Sequence, residues 1–558
     1  MGMGMEHYDV VVVGAGIMGS CAAYELAKRG RSVLLLEQFD LLHRRGSSHG
    51  ESRIIRRTYP EDHYTALMPL AYALWESASN EAGYSPLTVT GGLDFGPRTN
   101  SDLAAVLASC CNHGVPHQLL EGAALRERFP MLDFPDGSDS DLVGVFCPDA
   151  GVLHATKSVA MFQQLAARHG AALRDKTAVT AIEPLQDKEA ATGVDDCVDG
   201  GDAARIHVVT SKGSVTCNDC VVAAGAWAGK LLERATGRKL PLEPLRTTVA
   251  YWRVAGEGGA DADCAPAAAA AAGDSAAAGN AATAASDGGA CSSSSSGSTS
   301  KGSSTTIPLF INYDEPYVYG IPSLEFPDLI KVSLHSGLPC PDPDNRPSLP
   351  DAHAARTVLV PWLQARFGNR VTTEPVMMES CLYTMTPDQD FIIDRIPLAS
   401  GKGEQVAEES QERDAKLVLG DGEQGDGAGE ESPGEVVGRG VNIVVAAGFS
   451  GHGFKFGPLV GKMAADLVMG HADGTTGGVS SISGIGGFSG VKLDDGEENE
   501  AGNLGSDVLE MVKCGVVPSL FSYRRFLKGG QGNLKACGPQ VRPVGDGKLL
   551  MGGTGTGY

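Results

Sequence analysis

The stretch YDVVVVGAGIMGSCAAYELAKRGRSVLLLE, Tyr8 to Glu37, decides the fold. Tyr8 to Val13 is a short apolar run, and Gly14-Ala15-Gly16-Ile17-Met18-Gly19 follows it directly. Ser20 to Arg29 then has the composition of a helix that Gly30 stops. Ser32 to Leu36 makes a second apolar strand ending at Glu37, so the whole reads as a βαβ unit of a parallel sheet. Gly14, Gly16 and Gly19 form a G-x-G-x-x-G between strand and helix, which sets a helix N-terminus against a pyrophosphate and lets the backbone approach it closely. Glu37, at the end of the second strand, is placed to accept from a ribose hydroxyl. These features together point to an ADP-containing cofactor, and they leave FAD and NAD both open.

Further out, Asp219 to Ala224 and Val441 to Ala447 are runs of the same buried type, hundreds of residues from the first. The cofactor-binding domain is therefore discontinuous, over residues 7–85, 147–238, 371–401 and 438–472. Thr247 to Val254, Tyr317 to Ile321 and Leu329 to Leu334 alternate in polarity and read as strands of a mostly antiparallel sheet. They belong to a second, α+β substrate domain over residues 86–146, 239–255 and 306–370. The fold class is thus α/β, with a Rossmann-like domain and a substrate domain.

The chain has 558 residues and a formal net charge of −23, but the charge is unevenly spread. Residues 256–305, 401–440 and 491–510 carry −4, −7 and −6, which leaves about −6 for the remainder. The acidity says little about the substrate, and with no basic run to neutralise phosphate it gives no sign of a nucleic-acid partner. Residues 256–305 are Ala, Gly and Ser with almost no large apolar side chain, and read as a disordered insert. Lengthening a short connection to about fifty residues costs only about 2 kcal/mol of closure entropy. Residues 402–437 read as an acidic disordered insert, 473–510 as a linker and 511–558 as a C-terminal tail. Thirteen cysteines without framework spacing, and no apolar signal core, suggest a reducing intracellular compartment. No window is apolar enough to span a bilayer.

Three more segments carry chemistry. VVAAGFSGHGFKF, Val444 to Phe456, ends an apolar strand in glycines interleaved with Ser450, His452 and Lys455, where backbone approaches a ligand closely and a cation is delivered beside it. Arg45 to Arg56, RGSSHGESRIIR, concentrates arginines and His49 around Ile54 and Ile55; a guanidinium buried there needs an anion. Cys381 lies in ESCLYT, Glu379 to Thr384. On spacing alone a lone cysteine is an inert core thiol, and Cys217-x-x-Cys220, without a second pair, is not a metal site. Lys331, Ser333 and His335 share one face of a strand, which is either a solvated face at a sheet edge or the wall of a pocket.

These segments resemble the sarcosine and L-pipecolate oxidases, amine oxidases within the glycine and D-amino-acid oxidase superfamily. The resemblance runs from residue 7 to about residue 470, less the inserts, with an echo at Pro518 to Phe526. It rests on VVVGAGIMGS, LLLEQFD, RGSSHGESRIIR, the VVAAGAW of Val221 to Trp227, ESCLYTMTPDQDFIID and GFSGHGFKF. It implies FAD rather than NAD, attached covalently through Cys381 at the flavin 8α-methyl. It further implies a cofactor site of Gly14, Gly16, Ile17, Met18, Gly19, Glu37, Ser47, His49, Arg53, Val179, Ala224, Gly225, Trp227, Gly448, Gly451, Gly453, Phe454 and Lys455. Lys331 matches the lysine that activates oxygen, Arg56 and Lys455 the pair that holds the substrate carboxylate, and His335, Tyr319 and Tyr383 the pocket around the amine.

The implied reaction is hydride transfer from a secondary amino acid with an unprotonated amine to flavin N5. Oxygen then reoxidises the flavin to give hydrogen peroxide, and the imine hydrolyses. A dehydrogenase that hands electrons to a carrier, and a non-catalytic flavin-binding protein, are the alternatives. The resemblance also implies a monomer whose partners are a secondary amino acid and oxygen. It suggests the peroxisome, although the chain ends Gly-Thr-Gly-Tyr558 and not in a peroxisomal tripeptide, which leaves the cytoplasm as the other expectation.

Overall fold

In the computed structural model, residues 5–135, 141–185, 206–254, 307–347, 349–399, 441–472 and 521–529 are described; the inserts at 256–305 and 402–437 and the linker at 473–510 lie outside them, as does all of the 511–558 tail except 521–529. Strand Glu6–Val13 forms the centre of the first sheet, parallel to Val33–Leu36 on one side and to Gly213–Val222 on the other. Its valines are split between two cores. Val10 and Val12 pack with helices Ile17–Lys28, Ala155–Arg168 and Gly457–Ala472, whereas Val11 and Val13 pack on the opposite face with Leu34, Leu36, Val222 and helix Ala228–Thr236. Burial on both faces is why these strands read as unbroken apolar runs.

Asn442–Ala447 joins this sheet in parallel beside the end of Gly213–Val222, pairing Val444 with Val221 and Val445 with Val222. The carboxyl ends of three strands distant in sequence therefore come to one edge, and Gly14, Ala223 and Gly448 emerge there side by side with Glu37. A ligand crevice is expected at the carboxyl edge of a parallel sheet. Ile206–Thr210, Val179–Pro184 and Ile392–Pro397 extend the sheet with antiparallel pairings, and Ala172–Arg174, parallel to Val33–Leu36, completes its eight strands.

The second sheet has nine strands, with Glu243–Arg253, Leu329–Leu334, Val318–Pro322, Leu309–Asn312, Gly92–Pro97 and Leu142–Cys147 in succession, all antiparallel except the pair Leu309–Asn312 and Gly92–Pro97. One sequence expectation changes here, and one open alternative is decided. Met377–Met385, grouped from sequence with the cofactor domain, instead runs antiparallel along the whole of Glu243–Arg253, from Met385 opposite Glu243 to Met377 opposite Tyr251. Cys381 thus projects from the second sheet. Leu329–Leu334 is no edge strand either: it pairs on both sides, and Lys331 is only 3% exposed and Ser333 fully buried. The short strand Ser52–Ile55 supplies the cover, because the Lys331 Nζ donates to the Ser52 carbonyl at 3.1 Å.

Near the C-terminus, Phe521 to Phe526 folds back onto the first sheet. The Phe521 ring stacks on Phe391, the Ser522 hydroxyl donates to Asp394, and Arg238 donates to the Tyr523 hydroxyl. Arg525 clasps Asp388 through two nitrogens, at 2.6 and 3.2 Å, and donates to the Asp390 carbonyl at 2.8 Å. Both charged side chains are buried, at 7% and 0% exposure. Removing one partner of such a pair strands the other, at a cost of about 3–5 kcal/mol. Arg525→Ala is expected to lower unfolding stability by that amount in chemical denaturation; a loss below about 1 kcal/mol would show that the segment merely rests on the surface.

Candidate cofactor and active site

A cavity of about 1100 Å³ opens at the carboxyl edge of the first sheet. Its wall includes Gly14, Gly16, Ile17, Met18, Glu37, Thr177 and Val179, together with Ser47, Ser48, Arg53 and Ala224 to Trp227, and Cys381, Tyr383, Gly448, Gly451, Gly453 and Phe454. Gly14 has φ +101°, and a Cβ there would lie 2.6 Å from the Ala223 carbonyl oxygen. The turn therefore requires glycine. Gly19 does not line the cavity; a Cβ on it would run into the Gly14 carbonyl, so its task is to let helix and strand touch. The helix begins at Gly16 without a side-chain cap of its own, and the Ile17 N–H donates instead to the Ser48 hydroxyl at 3.1 Å. Glu37 accepts from the Ala15 and Phe39 amides, both at 3.0 Å. Burial pushes its carboxyl up, but His43 and these two amides outweigh it and keep the group ionised below the usual carboxylate range.

A first group of polar side chains surrounds Cys381. The Arg53 Nη2 lies 3.5 Å from the Cys381 sulfur and donates to the Ser47 carbonyl at 2.8 Å. Lys331 donates to the Ser52 carbonyl, one residue before Arg53 in the chain. Burial, reinforced by the Arg53 charge, depresses the Lys331 ammonium to about 7. His49, expected beside the cofactor, is buried outside the cavity wall with neither ring nitrogen partnered among the described residues, and burial with the Arg53 charge holds it near 4.

A second group gathers at Tyr59. The Lys455 Nζ donates to the Tyr59 hydroxyl at 2.6 Å and to the His452 carbonyl at 3.0 Å, while the Arg56 guanidinium lies 4.7 Å from the centre of the Tyr59 ring. Arg56 is paired with Asp94 at 2.8 Å. Burial and then the Arg56 charge drive the Lys455 ammonium well below its ordinary range, and Asp94 offsets this in part. His335 is held near 4 by burial, with Arg56 and Lys455 adding to the effect, so its ring is neutral. Its Nδ1 lies 3.4 Å from the Tyr383 hydroxyl, and the Tyr319 ring meets the His335 ring edge-on at 6.5 Å. The structure thus brings together Arg56, Lys455 and His335 through charge, and His335, Tyr383 and Tyr319 through a hydrogen bond and ring contacts. Gly451, at φ +81°, is pressed to this pocket: a Cβ there would fall 2.6 Å from the Tyr383 ring.

Comparison with known proteins accounts for this arrangement. Residues 9–467 match the family described as DAO, FAD dependent oxidoreductase. The chain belongs to this family. It is 38% identical over 464 residues to a probable sarcosine oxidase of Arabidopsis thaliana, covering 83% of this chain and 88% of that protein. Identity to the peroxisomal sarcosine oxidase of Homo sapiens is 32% over 470 residues, covering 83% and 92%, and to the monomeric sarcosine oxidase of Bacillus sp. (strain NS-129) 30% over 469 residues, covering 83% and 92%. Among solved structures, NikD, an unusual amino acid oxidase essential for nikkomycin biosynthesis, superposes with a TM-score of 0.58 at 21% identity, over 85% of this chain and 96% of that one. An L-proline dehydrogenase from P. horikoshii gives 0.55 at 19% identity, over 94% and 99%. The protein is a sarcosine-oxidase-like FAD oxidoreductase. Its cradle fits the cofactor, with tightly packed glycines at Gly14 and Gly451 and the helix N-terminus at Gly16 and Ile17 all lining one cavity of about 1100 Å³.

Sequence reasoning missed Ser48, Tyr59, Thr58, Tyr313 and Asp94, all of which touch the predicted residues. The signal for Asp94 was present as an acid between Leu93 and Phe95 in an otherwise apolar strand, where a carboxylate requires a buried partner. Gly14→Ala should strain the turn by about 1–3 kcal/mol, a loss of FAD affinity of about tenfold to a hundredfold. The ratio of flavin absorbance to polypeptide in the purified variant checks this, and a wild-type ratio would contradict it.

Proposed function

We propose that the chain is an FAD-dependent oxidase of secondary α-amino acids, of the sarcosine or L-pipecolate class, that forms hydrogen peroxide, with the flavin attached through Cys381. One observation carries the reading: two buried cations, Arg56 and Lys455, meet at Tyr59 close to His335, Tyr319 and Tyr383, which are neutral. A carboxylate beside these cations would favour the Lys455 proton, which burial and the Arg56 charge disfavour. When bound, FAD would supply the redox chemistry, taking a hydride equivalent from the amino acid and passing its two electrons and proton to oxygen, which takes a second proton from water to give hydrogen peroxide. Arg56 and Lys455 orient the substrate by its carboxylate. Surrounded by fixed positive charge, an ammonium is disfavoured, so the pocket promotes loss of the amine proton before oxidation. Tyr319, Tyr383 and His335 close the amine side without adding a charge. Arg53 puts a positive charge beside the sulfur whose charge develops during flavin attachment. Lys331 stands ready to offset negative charge that builds on reduced oxygen. A monomer and residence in the peroxisome belong to the same proposal, drawn from the relatives' names.

A panel of sarcosine, L-pipecolate and other N-alkyl amino acids with peroxide detection tests the reading, and turnover without peroxide would replace oxidase by dehydrogenase. Acid precipitation tests the linkage: a yellow pellet from wild type and a colourless one from Cys381→Ser are expected, and a colourless wild-type pellet rejects covalent attachment.

The Lys331 ammonium gives a pH dependence. With its affinity for the proton lowered to about 7, the cation is present below that value and lost as pH rises through it. Flavin reoxidation by oxygen should therefore slow toward alkaline pH. Lys331→Met should remove the dependence and slow reoxidation about 10²–10³-fold, the usual effect of deleting one such group. Stopped-flow reoxidation of reduced enzyme at several pH values measures both, and a wild-type rate that rises with pH would refute the role.

A further inference from the structure

Every hydrogen bond of Arg56 among the described residues runs through one nitrogen. Its Nη1 donates to Asp94 Oδ1 at 2.8 Å, to the Tyr313 hydroxyl at 3.2 Å, and to the hydroxyl and carbonyl of Thr58. The second oxygen of Asp94 accepts from the Thr58 hydroxyl at 2.6 Å. Asp94 sits in the middle of Gly92–Pro97, between the core residues Leu93 and Phe95, and is 2% exposed. An isolated carboxylate there would be costly, and this one is held by a guanidinium and the Thr58 hydroxyl. Neither packing nor the sheet explains it, since an apolar residue would satisfy both.

We propose that Asp94 is a positioning residue for the substrate carboxylate: it anchors Arg56 by Nη1, leaving Nε and Nη2 of the fork for the ligand, and supplies the negative charge that lets Lys455 remain an ammonium beside Arg56. The inference rests on the reading of Arg56 and Lys455 as the carboxylate site. Lys455 meets charged and titratable groups from several elements. Arg56 and Tyr59 follow strand Ser52–Ile55, Glu61 and Tyr64 stand at the start of helix Asp62–Ala82, and His335 follows strand Leu329–Leu334. His452 comes from its own turn, and Asp94 and Tyr313 from the second sheet. Tyr59, Tyr64 and Tyr313 are pushed up by burial and stay neutral; His335 and His452 are pushed down by it and stay neutral as well. Glu61 is pushed up by burial. Burial raises Asp94 as well, with Arg56, Thr58 and Tyr313 countering in part, and Asp94 is the acid whose charge offsets that of Arg56 at Lys455.

The sign of the effect follows. With Asp94 neutralised, Lys455 faces Arg56 uncompensated and gives up its proton at lower pH, and Arg56 loses its anchor. Both changes weaken carboxylate binding. The test compares wild-type and Asp94→Asn holoenzyme, using acetate as the carboxylate probe, read by its perturbation of the flavin spectrum, and sarcosine in steady-state turnover. Expected are an acetate Kd and a sarcosine KM raised about tenfold to a hundredfold, the loss typical of one charged hydrogen bond, with kcat changed less than about threefold. The pH above which acetate binding weakens should also move down by about one unit. Unchanged acetate affinity and an unmoved alkaline limit overturn the proposal, as does a fall in kcat with KM preserved. If Asp94→Asn does not retain FAD, Thr58→Val and Tyr313→Phe remove the anchors singly; each should raise the acetate Kd by about threefold to tenfold, and no change in either overturns the proposal. Wild-type enzyme that binds acetate in this way but oxidises no secondary amino acid would reject the proposed substrate class while leaving the Asp94 assignment standing.

Discussion

Arg53, Arg56, Lys331 and Lys455 are four cationic side chains drawn into one partly dry space, and the rest of the architecture can be understood from what that requires. Like charges at such range repel, and each also gives up its hydration. The compensation is mostly backbone. The Ser47, Thr58 and His452 carbonyls each accept from one of the four, the Ser52 carbonyl accepts from both Arg53 and Lys331, and Asp94 is the carboxylate paired with them directly. Carbonyl oxygens can do this only if the segments bearing them are held rigidly, which explains why the cations are carried on strands and on a tight turn and not on mobile loops.

The two sheets share the work unequally. The first supplies glycines and a helix N-terminus at its carboxyl edge, features suited to phosphates and to a flat ring. The second presents side chains: Lys331 and Tyr319 from neighbouring strands, Cys381 and Tyr383 from another, and Asp94 from a fourth. Strand Ser52–Ile55 joins them, since its segment delivers Arg53 and Arg56 while its Ser52 carbonyl holds Lys331 of the second sheet. The glycine-rich turn at 448–453 is tied down independently, by the Ser450 amide to the Thr384 carbonyl at 2.9 Å and by the Thr386 amide to the Ser450 hydroxyl at 3.2 Å. Clasping the adjacent Asp388 and Asp390, Arg525 braces this turn from behind.

How much of this could be read from the chain depends on the range of the interaction. The βαβ unit was legible because its signals are local: an apolar strand, glycines at fixed offsets, a helix and an acid at the next strand's end. The parallel partners Gly213–Val222 and Asn442–Ala447 were legible because only strands buried on both faces are continuously apolar. Met377–Met385 was misplaced because its composition suits either sheet, and its partner Glu243–Arg253 lies more than a hundred residues away. For Lys331, alternation gave the face correctly but not its cover, which comes from Ser52. The residues around Arg56 were hidden for the same reason: Thr58 and Tyr59 are ordinary near a turn, and Asp94 and Tyr313 acquire meaning only when the second sheet brings them to the guanidinium.

The cations also sort into two pairs, each made of an arginine and a lysine. Arg53 lowers the proton affinity of Lys331, and Arg56 lowers that of Lys455, in each case after burial has begun the shift. An arginine cannot give up its proton under these conditions, whereas a lysine can, so each pair combines a permanent charge with an adjustable one. Negative charge arriving beside such a pair is met twice, once by the guanidinium already present and again by the proton that the lysine then retains. A second arginine in place of either lysine would hold two full charges in the empty site at all times, with the repulsion that implies. An apolar residue would leave the incoming charge only half met. The pairing thus lets a buried site tolerate both the absence of an anion and its arrival, through Lys455 in one pair and through Lys331 in the other.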